Sequence, residues 1–205
     1  MKQILILSAI AASMAFASAC SSAPETTTAN KTATTNTAVA NTAPTNAANT
    51  TKADETPAAI KAVFPAAQSF TTQHKDIPAD KIASIEKDTS SKVPDKDHHS
   101  YLAFSTTGGA RKQIGAATIV KVDGKDVVIV YDNKDGSPII KEIRSEGVPA
   151  PFLAQFTGKG HDNDLLLGAD IKASGANEAQ AKAITEAIRV DVLTMQALYG
   201  AAHKH

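Results

Sequence analysis

Two chain reversals constrain most strongly what residues 101–144 can fold into. Val122-Asp123-Gly124-Lys125 joins two β-rich runs, and Asp-Gly supplies the positive φ that a two-residue type I′ hairpin demands. Asp132-Asn133-Lys134-Asp135-Gly136 marks a second reversal. The runs Tyr101 to Ser105, Gln113 to Val122, Lys125 to Asp132 and Ile139 to Arg144 are short and β-rich, so the expectation is an antiparallel meander. Ahead of it, Pro57 to Phe64 sets Ile60, Val63 and Phe64 on one helical face and stops at Pro65. Pro78 to Lys87 likewise turns Ile82 and Ile85 inward from a proline start. After it come a helical turn at Phe152 to Phe156, a loop through His161-Asp162-Asn163-Asp164, and an amphipathic helix from Glu178 to Tyr199. That helix carries Ala181, Ile184, Ile188, Val192, Met195 and Tyr199 at helical spacing, with Gly200 as its C-cap. The predicted class is α+β: an antiparallel sheet meander flanked by N-terminal helices and a long C-terminal helix. With 4 % aromatic residues and no tryptophan, its core must be built from aliphatics and alanine.

The upstream sequence is of another kind. Ser21 to Glu55 is almost wholly Thr, Ala and Asn, with Val39 its only aliphatic beyond alanine; it cannot bury enough apolar surface to offset its ordering entropy. A flexible chain of about 35 residues has an r.m.s. reach of roughly 30 Å. The segment is either a tether that lets a domain roam from a surface or low-complexity filler. Before it, Met1-Lys2-Gln3 is a positive start, and Ile4 to Phe16 is an apolar run too short to span a bilayer, which reads as a secretory signal. Ala17-Ser18-Ala19-Cys20 resembles the lipobox of bacterial lipoproteins, with Ala17 where leucine is commonest. The resemblance implies cleavage before Cys20, a triacylated anchor there, and, with Ser21 next, placement at the outer membrane facing periplasm or surface. The chain is thus divided into a signal at 1–19, a lipidated tether at 20–55 and a domain at 56–205.

Charge and cysteine content exclude several functions. Twenty-one basic side chains balance 21 acidic ones, leaving no electrostatic footprint for nucleic acid. A single cysteine excludes a disulfide framework, a CxxC pair and any thiolate metal cage within one chain.

Six segments, in order, resemble the FMN-binding domain family, which includes the flavin-carrying subunits of sodium-pumping NADH:quinone reductase and Rnf-type complexes. They are Phe64-Pro65-Ala66, Gln113-Ile114-Gly115-Ala116-Ala117, Phe152 to Lys159 (FLAQFTGK), Leu167-Gly168-Ala169-Asp170-Ile171, Ser174-Gly175-Ala176 and Lys182 to Ile188 (KAITEAI). The resemblance covers nearly all of residues 57 to 200. It implies a flavin site at a Ser/Thr-Gly-Ala-Thr-x-Thr/Ser turn opening the C-terminal helix, where unpaired amides and the positive dipole end receive a phosphate.

Ser174, Gly175 and Ala176 match the start of that motif, but Asn177 stands for its first threonine. Ala179 occupies the acceptor position, or Gln180 in the ungapped alignment; neither has a hydroxyl, so covalent attachment of FMN is excluded. The upstream Asp170 is displaced by one residue, and Thr185 lies nearly two turns inside the helix. Glu178 adds a negative charge that opposes a phosphate dianion. Non-covalent FMN stays open, with Ser174, Gly175, Ala176, Asn177 and Lys182 as its candidate ligands, joined by Glu146 and Pro149, which align with a Glu-x-Pro-Gly stretch near the flavin ring in relatives. Equally open is a local role in which Asn177 caps the helix and Gln180 reaches back.

Other constellations are weaker. Asp95, Lys96, Asp97, His98 and His99 offer metal ligands, but neighbouring imidazoles in an extended segment point apart, so a solvated loop and no metal are expected. His161 to Asp164 lacks the glycine and distal glutamate of a calcium loop, and Gly108-Gly109 reads as a loop between strands. No nucleophile, base and orienting partner assemble. Two functions follow: an envelope lipoprotein that holds FMN non-covalently and passes electrons to a redox partner protein, or a flavin-free scaffold serving as a binding or interaction module.

Overall fold

Asp123 and Gly124 both take positive φ, 51° and 76°, as the type I′ turn requires. They join strand β3 (Lys112–Val122) to β4 (Lys125–Lys134). The second reversal is the same device one step later, with Asp135 at 54° and Gly136 at 84°, leading into β5 (Ser137–Ser145). The structure, a computed structural model, describes residues 55–201. The signal, Cys20, the tether as far as Asp54 and the C-terminal histidines lie outside the described residues.

The meander has two more members: β1 (Ser69–Asp76) pairs antiparallel with β2 (Asp97–Ser105), and β2 with β3, giving a five-stranded sheet in the order β1-β2-β3-β4-β5. β1 was not expected, and β2 begins at Asp97, so the loop expected over 95–99 is corrected: Asp97, His98 and His99 are strand residues. The β1 sequence SFTTQHKD has a single large apolar residue, Phe70, which is only partly buried. An edge strand held mainly by backbone bonds leaves little hydrophobic pattern to read.

Helix α1 (Ala58–Val63) covers one face of the sheet and α4 (Glu178–Tyr199) the other. This explains why β4 reads as an unbroken apolar run. Val128 and Val130 pack with Ile60, Val63 and Phe64, whereas Val127, Ile129 and Tyr131 pack with Ile184, Ile188 and Val192. Gly115 on β3 faces the Phe64 ring so closely that a Cβ there would stand 2.5 Å from its Cε1. Helix α2 (Ala79–Thr89) lies against α4 with Ile85 buried, and ends at Ser90 in the left-handed conformation.

After β5, Pro149 leads into the short helix α3 (Ala150–Leu153) and a 3₁₀ turn, Ala154–Phe156, which close the larger core with Phe152 and Phe156 packed edge to face at 5.5 Å. The chain then pairs with the outer edge of β5, Ile140 donating to Lys159 and accepting from Gly158, so that edge is partly covered. Gly200 follows α4 in an extended conformation, its N–H donating to Gln196.

Candidate functional site

Ser174 and Gly175 have φ of 44° and 87°, and the Ala176 N–H donates back to Ala173 at 2.8 Å, so the chain reverses tightly just before α4. Gln155, from the FLAQFTGK segment, fixes this turn. Its side-chain nitrogen donates to the Ser174 hydroxyl (3.0 Å) and the Lys172 carbonyl (2.8 Å), and its oxygen accepts from the Lys172 N–H. Asn177 is the N-cap, its Oδ1 accepting from the Ala179 N–H at 2.9 Å. Pro149 sits against the turn, its Cβ 4.0 Å from where a Gly175 Cβ would be. Segments 149 and 174–177, paired by the resemblance, are neighbours in space.

The remaining members of the expected constellation stand apart from this turn. Lys182 projects into solvent and faces Glu186 one turn on, at 3.8 Å. Glu146 lines a groove of about 790 Å³ between α1 and the β3–β4 hairpin, beside Lys121, Lys125 and Arg144. Ser174 to Asn177 do not line this groove. Thr185 is buried, and its hydroxyl has no hydrogen-bond partner among the described residues.

A polar cluster not expected from the sequence lies between α4 and the sheet. Asp191 is 5 % exposed, yet three successive strands each bring it a partner. Thr118 donates to Oδ2 at 2.6 Å, Tyr131 donates to the same oxygen at 2.7 Å, and His98 Nε2 stands 3.0 Å from Oδ1. Burial, then the Asp191 charge, pushes the Tyr131 phenol well above its ordinary range. Alongside, the Ser100 hydroxyl meets the Tyr199 hydroxyl at 2.9 Å, and Lys75 sits 4.0 Å over the Tyr199 ring. Burial also raises Tyr199. Three donors saturating one carboxylate satisfy a buried charge and fix the rotation and height of α4 on the sheet. The signal was present in the sequence: Asp191 falls three residues after Ile188, on the apolar stripe of the helix.

The opposite face of the same ribbon carries a second cluster. His99 follows His98 and therefore points the other way, where it lies directly across from His74 in the β1–β2 register. Asp97 Oδ2 stands 2.8 Å from His99 Nε2 and 3.1 Å from His74 Nδ1, and the two rings meet edge on with centroids 4.2 Å apart. Mainly the His74 hydrogen bond holds the Asp97 carboxyl below its usual range; slight burial opposes this and His99 adds to it. The expectation that His98 and His99 diverge holds. His74 was missed because only strand pairing brings it there, from 25 positions upstream. At the other candidate, His161 pairs with Asp162 at 3.0 Å and Asn163 accepts from the Gly160 N–H, which makes a closed turn.

No family model, curated protein or solved structure matches this chain.

Proposed function

We propose that the domain is a flavin-free binding module, held in the cell envelope by lipid at Cys20 and displayed on the 20–55 segment. The carrying observation is that the chain itself occupies the turn where FMN phosphate would sit. The Ala176 amide donates to Ala173 and the Ala179 amide to Asn177, while Gln155 donates to the Ser174 oxygen and fixes the turn. Each amide hydrogen bond is worth about 1 kcal/mol net, so displacing it would weaken an incoming phosphate roughly fivefold per bond. Glu178 in the first turn opposes a dianion further. Among the described residues, no helix is long and apolar enough to cross a membrane.

The proximity of Pro149 to Gly175 favours a second reading, in which FMN is held non-covalently in this corner and passes electrons to a redox partner protein. Titrating FMN with the full chain separates the two. Flavin fluorescence unchanged at a large excess of protein supports the flavin-free module. Stoichiometric quenching that is reversed by acid precipitation overturns it in favour of electron transfer.

A further inference from the structure

We infer that the outward face of the β1–β2 ribbon is a binding site for a divalent transition-metal ion of the Zn²⁺ or Cu²⁺ type, with His74, Asp97 and His99 as its ligands. The inference goes beyond the binding-module reading and is independent of flavin, because it shares no residue with the turn at 174–177.

Geometry carries it first. One ligand atom from each residue lies within 4.8 Å of the others, and two of the separations are 2.8 and 3.1 Å. Bonds of about 2.0–2.1 Å in a tetrahedral shell set neighbouring ligand atoms about 3.3 Å apart. The two separations to Asp97 are within a few tenths of an ångström of that value and the third is at most 4.8 Å, so side-chain rotation on the paired strands brings the set around one ion. The scaffold is paired strand: His74 and His99 are cross-strand partners, and Asp97 lies two residues before His99 on the same face. Asp97 Oδ2 lies within 3.1 Å of both imidazole nitrogens, so the three ligand groups already converge.

Donor chemistry selects the ion. Two imidazole nitrogens with one carboxylate suit zinc, copper and nickel, whereas calcium and magnesium take oxygen shells. The side chains of His74, Asp97 and His99 are 37 %, 40 % and 44 % exposed, so an ion can reach them from solvent. Asp76 stands opposite Asp97 on the same face and adds negative charge beside the ion. Three protein ligands leave a coordination position open to water or to a ligand from another molecule. Such a surface site suits uptake and hand-over of an ion better than a structural staple does.

The test is a Zn²⁺ titration of the full chain against a fluorescent chelator, repeated with His74→Gln, His99→Gln, Asp97→Asn and, as a control, His161→Gln. The expected result is one ion per chain, with affinity lowered at least about tenfold by each of the first three substitutions and unchanged by His161→Gln. On the unsubstituted chain, which needs no variant to fold, NMR signals of the His74 and His99 rings should respond to Zn²⁺ before those of any other histidine. Absence of uptake, uptake unaffected by the His74 and His99 substitutions, or a first response at another histidine would each overturn the assignment.

Discussion

Tyr131 donates its hydroxyl to Asp191 at 2.7 Å, joining β4 to the middle of α4 inside a core that is otherwise built of apolar side chains. Thr118 and His98 hold the same carboxylate, so losing one donor differs from losing the acceptor. Tyr131→Phe leaves Asp191 with two partners and should cost about 1–2 kcal/mol. Asp191→Ala strands three buried polar groups and leaves a small cavity, so about 3–5 kcal/mol is expected. Urea unfolding followed by circular dichroism measures both. Equal losses would show that the carboxylate is not the hub.

The same contact makes the protein sensitive to alkali. The Tyr131 phenol is raised well above 10 in the folded state and lies near 10 when unfolded. Above pH 10 the unfolded chain releases this proton while the folded chain keeps it, so unfolding gains favour as pH rises. Stability is unaffected by this group below pH 10 and should fall above it, by at most about 1.4 kcal/mol per pH unit, until the folded phenol itself ionises. Tyr131→Phe should flatten this part of the pH–stability curve, and Tyr199, raised less strongly, should leave a smaller residual slope.

The sheet was legible where sequence and burial agree. Asp123-Gly124 states its turn outright, and Val127 to Tyr131 states a strand covered on both faces. Ile60, Val63 and Phe64, or Ile184, Ile188 and Val192, state which face of a helix turns inward. What stayed hidden depends on register. β1 has little apolar pattern, so nothing in its eight residues announced a strand, and without it His74 could not be placed beside His99. Asp191 was readable as a charge on an apolar stripe, but its three partners come from positions 98, 118 and 131, which only the folded sheet aligns. At 174–177 the sequence named the turn and the cap, but not Gln155, whose side chain closes the turn from 19 residues away.

Two glycines separate crowding from conformational strain. At Gly124 an added Cβ meets nothing within 4 Å, but φ is 76°, so Gly124→Ala should cost about 1 kcal/mol through the backbone alone. Gly115 is not in a left-handed conformation, and the cost there comes from the Phe64 ring. Gly115→Val should cost about 1–3 kcal/mol by overpacking. Combining it with Phe64→Leu should recover part of that loss, whereas Gly124→Ala and Phe64→Leu should simply add. A double-mutant cycle on thermal unfolding distinguishes coupling from additivity.

Asn177 decides whether the start of α4 can be opened to a phosphate. Its side chain holds the Ala179 amide, and the helix gains about 1 kcal/mol from such a cap. Asn177→Ala should therefore destabilise the domain by about that amount while freeing one N–H; Gln155→Ala removes the side chain that donates to the Ser174 oxygen and holds the turn closed. If occupancy by the chain's own side chains is what excludes FMN, the double variant should bind it measurably where the parent does not. Glu178→Gln, which removes the opposing charge, should tighten that binding several-fold. Asn177→Thr with Ala179→Thr, given a flavin transferase, should then retain flavin through acid precipitation, because only that pair restores both threonines of the motif. Double and triple variants that stay colourless in excess FMN would place the block elsewhere in the fold.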